Sequence, residues 1–329
     1  MRFGVIGTGK ISHSFVEAAM HVDHAEVTAV YSRQMIKAQE FAQQYNIPHT
    51  FDDLDTFANS SAFDAVYIAS PNRFHAAQSQ KMLQAQKHVL CEKPITSNYT
   101  EYASVQKCAE ENSRLYLEAV IPLHSPFMST IEDNLPKLGI IRRVSLHFNQ
   151  YSSRYDNFQK GIIENAFNPS LSNGALMDIG VYCVQMLIYL FGYPDRIQSS
   201  TVKLSNGLDG QGFILADYHG MLAELSFSKI SDGFSPNVIQ GEKGSLIFFP
   251  LTAPSSMLLQ LKNQPPQVLL SEAEMRPMQY EMKQFMAMAG NINSAQRYLD
   301  CSKQSMLLLD EVRRQANIVF PADANVASK

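Results

Sequence analysis

The sequence predicts an α/β protein in two parts, a doubly wound parallel sheet followed by an α+β domain with a large, mostly antiparallel open sheet. Three observations predict it. Strand-like and helix-like segments alternate over the first 120 residues, a glycine turn, GTGKIS, joins the first strand to the first helix, and short period-two runs with tight turns fill the stretch after residue 195.

The alternation begins with RFGVIG, a strand of the fully buried kind, and the helical ISHSFVEAAMHV. It continues through the strand EVTAVYSR, the helix MIKAQEFAQQYN, the short HTF, the helical DDLDTFAN and the strand DAVYIAS. The helix FHAAQSQKMLQAQ, the strand HVLCEKP, the helix YTEYASVQKCAEEN and the strand LYLEAV complete it. Strands separated by helices of about ten to fifteen residues pair in parallel through right-handed crossovers. Beyond residue 120 the order is a helix at 125–137, the strand IRRVSLHFNQY, a loop rich in Asn, Ser and Gly, and a long apolar helix. RIQSSTVKLS, GFILADYH, MLAELSFSK, NVIQGEKGSLIFF and MLLQLK then read as an antiparallel sheet, and helices at 273–290 and 302–317 close the chain. The expected domains are 1–120 for dinucleotide binding and 121–329 for substrate binding and oligomerisation. The apolar stretch GALMDIGVYCVQMLIYLFG carries Asp178 and Gln185 and is barely long enough to span a bilayer, so it reads as a buried helix.

Composition narrows the partners. With 27 basic against 31 acidic residues and a net charge of −4, no basic footprint for nucleic acid or an anionic membrane is present, and small molecules are the expected partners. The four cysteines, Cys91, Cys108, Cys183 and Cys301, have neither disulfide nor zinc spacing, which suits buried thiols in a reducing compartment. MRFGVIG enters a strand at once, without a signal core, so the expected location is the cytoplasm.

GTGKIS supplies a dinucleotide cradle. Gly7 permits the tight turn, Gly9 lets backbone approach a pyrophosphate, and Thr8, Lys10 and Ile11 surround a helix N-terminus whose N–H groups face the anion. Ser12 stands where a third glycine is usual, a departure that its small size can accommodate. The second strand ends in Ser32 and Arg33, without the carboxylate that would bind a ribose 2′-hydroxyl and repel a 2′-phosphate, so NADP is favoured and NAD remains possible. ASPNRFH ends the fourth strand on the ligand-binding side: Ser70 belongs to that rim, while Asn72 and His75 either line the nicotinamide end or serve as turn and helix-start residues. VLCEKP ends the fifth strand on the same rim, which positions Lys93 for chemistry; Glu92 contacts cofactor or fixes the turn. By contrast, the Glu-Lys of QGEKGS lies between two strands and is a hairpin turn.

Taken in order and spacing, GTGKIS, SPNRFH, CEKP and GALMDIGVYCVQMLIYLFG resemble the glucose-fructose oxidoreductase / inositol dehydrogenase (Gfo/Idh/MocA) family over nearly the whole chain. A tyrosine four residues after the aspartate of D-I-G resembles the branch of the dimeric dihydrodiol dehydrogenases; the inositol dehydrogenase branch carries histidine there. The resemblance implies an NAD(P)-dependent oxidoreductase acting on a sugar, polyol, cyclic diol or small carbonyl compound, and a homodimer formed through the open sheet.

Helical spacing puts Asp178 and Tyr182 on one face. Tyr182 can take a hydroxyl proton in oxidation and return it in reduction, and an ammonium within about 4–6 Å would lower its ordinary pKa of about 10. Lys93 is the candidate ammonium, and Asp178 would bind substrate or orient Lys93. A buried polar pair is the alternative for Asp178 and Tyr182. Ile121, Pro122, Leu123 and His124 replace the W-T-R-F of the dihydrodiol branch, which leaves the substrate open. In the 151–174 loop, Arg154, Tyr155, Asn165 and Asn168 are either substrate contacts or caps and turns; His124 and His147 read as structural or exposed. A dinucleotide sensor without turnover and an NAD-assisted glycosidase are the competing functions.

Overall fold

The computed structural model describes residues 1–269 and 275–325. The chain forms two compact units, Met1–Val120 with Met275–Lys303, and Ile121–Glu274 with Gln304–Lys329.

The first unit alternates β1 (Arg2–Ile6), α1 (Lys10–Ala19), β2 (Glu26–Tyr31), α2 (Met35–Tyr45), β3 (His49–Phe51), α3 (Leu54–Ala58), β4 (Ala65–Ile68), α4 (His75–Gln84), β5 (His88–Glu92), α5 (Tyr99–Glu111) and β6 (Tyr116–Ala119). The strands pair in parallel in the order β3-β2-β1-β4-β5-β6. Chain direction across the sheet reverses between β1 and β4, and the carboxyl ends of strands at such a switch point form the crevice in which open α/β sheets bind ligands. Helices cover both faces, so the central strands carry continuous apolar runs: Phe3, Val5, Ile6, Val66, Tyr67 and Ile68 are all buried. Phe15 of α1 stacks on Tyr67 with ring centroids 3.9 Å apart, and meets Phe3 edge-on at 5.4 Å. Each such buried ring stabilises the fold by roughly 1.5–3 kcal/mol.

In the second unit α6 (Ile121–His124) and α7 (Pro126–Asn134) precede β7 (Ile141–Asn149) and α8 (Ser153–Gln159). A π-helical turn, Leu176–Gly180, runs into α9 (Val181–Phe191), and β8 (Arg196–Lys203), β9 (Asp209–Tyr218), β10 (Met221–Ser228), β11 (Asn237–Gly241), β12 (Gly244–Phe249), β13 (Ser256–Leu261) and β14 (Gln267–Val268) follow. Two helices come last in the chain, α10 (Pro277–Gly290), which belongs to the first unit, and α11 (Gln296–Ala316). The eight strands lie in the order β14-β13-β12-β11-β7-β10-β9-β8, antiparallel except for the parallel pair β7 and β10. Glu242 and Lys243 form the two-residue turn between β11 and β12, as their sequence context implies.

The sheet alternates, with Val144, Leu146, Ala223, Leu225 and Phe227 inward and buried, while Phe213, Leu215 and Leu222 on the opposite face are 45–50% exposed. The stretch Pro169–Phe191 is long and apolar enough to cross a membrane, yet 72% of its apolar window is buried inside the fold, as in a core helix.

Three readings change. Residues 275–303, placed in the second domain by sequence order, pack with the first unit, because Met278, Met282 and Phe285 of α10 form an apolar stripe and Phe285 lies 6.0 Å from the ring of Phe3. The last helix begins at Gln296, six residues before the expected start, and the first residues of the expected 273–290 helix lie outside the described residues. The expected irregular loop at 151–174 contains α8 and two short 3-10 turns, since Tyr155, Phe158 and Phe167 cluster at 5.5–6.1 Å and supply a small apolar centre amid polar residues.

Candidate active site

The cradle is built from a turn that only glycine satisfies. Gly7 has φ +105°, and a Cβ there would lie 2.8 Å from the carbonyl oxygen of Ala69 at the end of β4. Gly9 is the N-terminal cap of α1, in extended conformation and with no side chain of its own to bond the helix end, and a Cβ there would meet nothing within 4 Å. The backbone at Gly9, where α1 begins, is therefore uncrowded, as close approach of an anion to a helix N-terminus would require. Ser12 is fully buried, and its small side chain permits the close helix-to-sheet packing usually left to glycine.

Ser32 and Arg33 follow β2, whose last residue, Tyr31, accepts the Gly7 N–H at 3.1 Å. Arg33 is exposed, with its guanidinium carbon 5.5 Å from the ring centroid of Phe74, so the SPNRFH segment steadies the cation. Neither Ser32 nor Arg33 is a carboxylate, the group that would reject a phosphorylated ribose if it followed this strand.

Two further rim segments are tied together by His75. Its ring is wholly buried, with Nε2 2.7 Å from the carbonyl oxygen of Ser70 and Nδ1 2.9 Å from that of Pro94. Burial pulls its pKa down while both carbonyl contacts oppose that shift. His75 thus clamps SPNRFH to CEKP. Ser70 Oγ donates to Gln78 at 2.6 Å, and Asn72 is buried in the short turn between them. Glu118 of β6 sets the next residues of the loop: one carboxylate oxygen accepts from the Ile95 N–H at 3.0 Å and the other from Ser302 at 2.7 Å. Lys93 is half-buried at the end of β5, and Glu92 accepts a hydrogen bond from the Tyr67 hydroxyl.

Glu281 of α10 was missed by sequence reasoning. It is fully buried, neither carboxyl oxygen has a hydrogen-bond partner among the described residues, and burial, then the charge of Glu92, pushes its pKa well up. The signal was present: Glu281 falls three residues after Met278 and four before Phe285, on the buried stripe.

In the second unit Asp178 lies in the π-helical turn and Tyr182 in the first turn of α9, both half-buried. The wider turn still leaves positions four apart on one face. The Tyr182 ring lies 5.6 Å from Phe148 of β7. Asp178 forms an ion pair with Lys229, whose ammonium also lies 5.1 Å from the ring centroid of Phe167. Lys229 was also missed, although strand parity indicated it: Ala223, Leu225 and Phe227 point inward, and 229 continues that series. Of the loop candidates, Asn168 caps a turn by accepting from Ser170, Asn165 accepts at its carbonyl from Asn173, Arg154 pairs with Glu164 at 3.5 Å, and Tyr155 packs on Phe158 and Phe167. His147 bonds Ser226 at 3.0 Å, and His124 is buried.

Residues 1–119 match the oxidoreductase family with an NAD-binding Rossmann fold, and residues 136–247 match the GFO/IDH/MocA C-terminal domain. The chain belongs to the Gfo/Idh/MocA family. It is an NAD(P)-dependent oxidoreductase acting on CH–OH groups, with a small molecule as its substrate. Among its Gfo/Idh/MocA relatives, a scyllo-inositol 2-dehydrogenase (NADP(+)) of Bacillus subtilis is 38% identical, covering 98% of this chain and 99% of the relative. A trans-1,2-dihydrobenzene-1,2-diol dehydrogenase of Danio rerio is 27% identical over 98% of this chain and 99% of its own. The same fold occurs in a crystal structure of a 3-ketoreductase from Actinomadura kijaniata in complex with NADP and TDP-benzene, at a TM-score of 0.85 and 22% identity, covering 96% of this chain and 97% of that one.

Proposed function

We propose that this protein oxidises a secondary alcohol of a cyclic polyol, with scyllo-inositol as the first compound to test, and uses NADP in preference to NAD. The observation that carries the cofactor reading is Arg33, exposed beside the cradle and steadied by Phe74. The polyol reading is supported by the name of the Bacillus relative, whose similarity runs the full length of both chains.

The nicotinamide, when bound, supplies the hydride acceptor. Gly7, Thr8, Gly9, Lys10 and Ile11 would hold its pyrophosphate, Ser32 and Arg33 the 2′-phosphate, and Ser70, Asn72, Glu92 and Lys93 the rim beyond, with His75 fixing two rim segments from behind. Tyr182 takes the hydroxyl proton as the carbinol carbon loses hydride, and returns it in the reverse direction. Lys93 is the cation that stabilises the phenolate, and Asp178 binds a substrate hydroxyl.

Steady-state oxidation of a panel of polyols and sugars, followed by nicotinamide absorbance with each cofactor, tests this reading. Turnover with NADP at a lower KM than with NAD is expected, and Arg33→Ala should shrink that preference about ten- to hundred-fold, the worth of one charge-assisted hydrogen bond. Cofactor binding with no turnover anywhere in the panel would favour a sensor instead, and an unchanged cofactor ratio would remove Arg33 from the site.

We also propose a homodimer through the open sheet face, where Phe213, Leu215 and Leu222 stand exposed side by side. Light scattering is expected to give twice the chain mass, and Leu222→Glu to give a monomer; a monomeric wild type at micromolar concentration would refute it. The four buried free thiols suit the cytoplasm as the working compartment.

A further inference from the structure

The ion pair of Lys229 with Asp178 is unevenly buried. The lysine side chain is 4% exposed and the aspartate side chain 30%, so the cation is enclosed while the carboxylate reaches outward. A lysine is seldom buried in this way without a partner to hold, because removing an ammonium from water costs several kcal/mol. Here the surroundings are arranged for it. Backbone on both sides is pinned, with the Lys229 N–H donating to Gly210 at 2.8 Å and its carbonyl accepting from Ser152 at 2.9 Å. Phe167 offers its ring face to the ammonium at 5.1 Å.

A second carboxylate completes the group. Asp209, 1% exposed, accepts the N–H of Leu176 at 2.5 Å and so fixes the start of the turn that carries Asp178. Burial pushes the Asp209 pKa up to about 6, and the charge of Lys229 is one of the influences that hold it down. One ammonium therefore acts on both the carboxylate that anchors the turn and the carboxylate that the turn presents.

We propose that Lys229 is a positioning residue for substrate recognition: it holds Asp178 in one orientation, so that this carboxylate accepts a polyol hydroxyl. The inference rests on the reading that Asp178 faces substrate. Lys229 acts through Asp178 and touches no reacting atom. Because an oriented carboxylate helps bind the alcohol in the ground and transition states alike, losing that orientation should raise KM and spare kcat.

The test compares wild type, Lys229→Met, Asp178→Asn and the double variant, with the polyol that the wild type turns over. In Lys229→Met the polyol KM is expected to rise about ten- to hundred-fold, with kcat within about threefold of wild type and the NADP dissociation constant unchanged. The double variant should match Asp178→Asn alone, since two residues acting as one unit are non-additive. The double variant also removes one charge of each sign, so the comparison holds if Lys229→Met by itself fails to fold. A wild-type KM in folded Lys229→Met, or a double variant weaker than Asp178→Asn by the full effect of the second change, overturns the proposal.

Failure of the underlying functional reading looks different, because the wild type itself would turn over no polyol. In that case crystal structures of wild type and Lys229→Met decide. An Asp178 carboxylate held in one rotamer in wild type and turned away or spread over several in Lys229→Met supports the proposal, and an unchanged rotamer overturns it.

Discussion

Tyr182→Phe is expected to lower kcat by about 10²–10⁴-fold, the usual contribution of a positioned general acid or base. The substitution removes one oxygen and keeps the ring against Phe148, so the fold and NADP binding should be unchanged. KM for the alcohol should change little, because proton transfer develops in the transition state. Rapid-mixing measurement of the first turnover, compared with steady state, separates loss of the chemical step from slower product release. Wild-type turnover in Tyr182→Phe would show that another group moves the proton.

Gly174→Ala should give the largest change in stability. Gly174 has φ +129°, a backbone conformation that an L side chain rarely adopts, and an alanine Cβ there would lie 2.2 Å from Oδ1 of Asp209. The backbone strain is worth about 1–3 kcal/mol. Displacing the buried carboxylate also takes away the acceptor of the Leu176 N–H, at a further cost of about 1–3 kcal/mol. Denaturant titration should therefore report a loss on the order of 4 kcal/mol. The turn carrying Asp178 loses its anchor in the same step, so the polyol KM should rise in whatever fraction stays folded. A loss below about 1 kcal/mol would mean that Asp209 can swing aside, and that the anchor is unimportant.

How far the chain could be read in advance depended on how local each feature is. GTGKIS, Ser32-Arg33, SPNRFH and CEKP each follow a strand of one parallel sheet, and strand order alone brings them to a common rim; that part of the candidate site was legible. Helical spacing, an equally local feature, placed Asp178 and Tyr182 on one face. His75 was left open between ligand contact and helix start, because its two carbonyl partners, Ser70 and Pro94, come from different loops. Lys229 and Glu281 went unnoticed even though periodicity put both on inward faces. A charged residue at an inward position is usually a sign that the element has ended, and the partner that makes burial tolerable is far away in sequence: Asp178 is 51 residues from Lys229.

By itself the sequence determined the two kinds of sheet, the cradle, the missing carboxylate after β2 and the placing of an acid and a tyrosine one turn apart, because each follows from backbone sterics or from a period of two or 3.6 residues. Tertiary structure alone decided that residues 275–303 join the first unit, that Asp209 anchors the turn under Asp178, and that an enclosed ammonium holds Asp178. Those choices turn on desolvation. The free energy of a buried charge depends on which groups the fold brings within a few ångströms, and no local pattern records that distance.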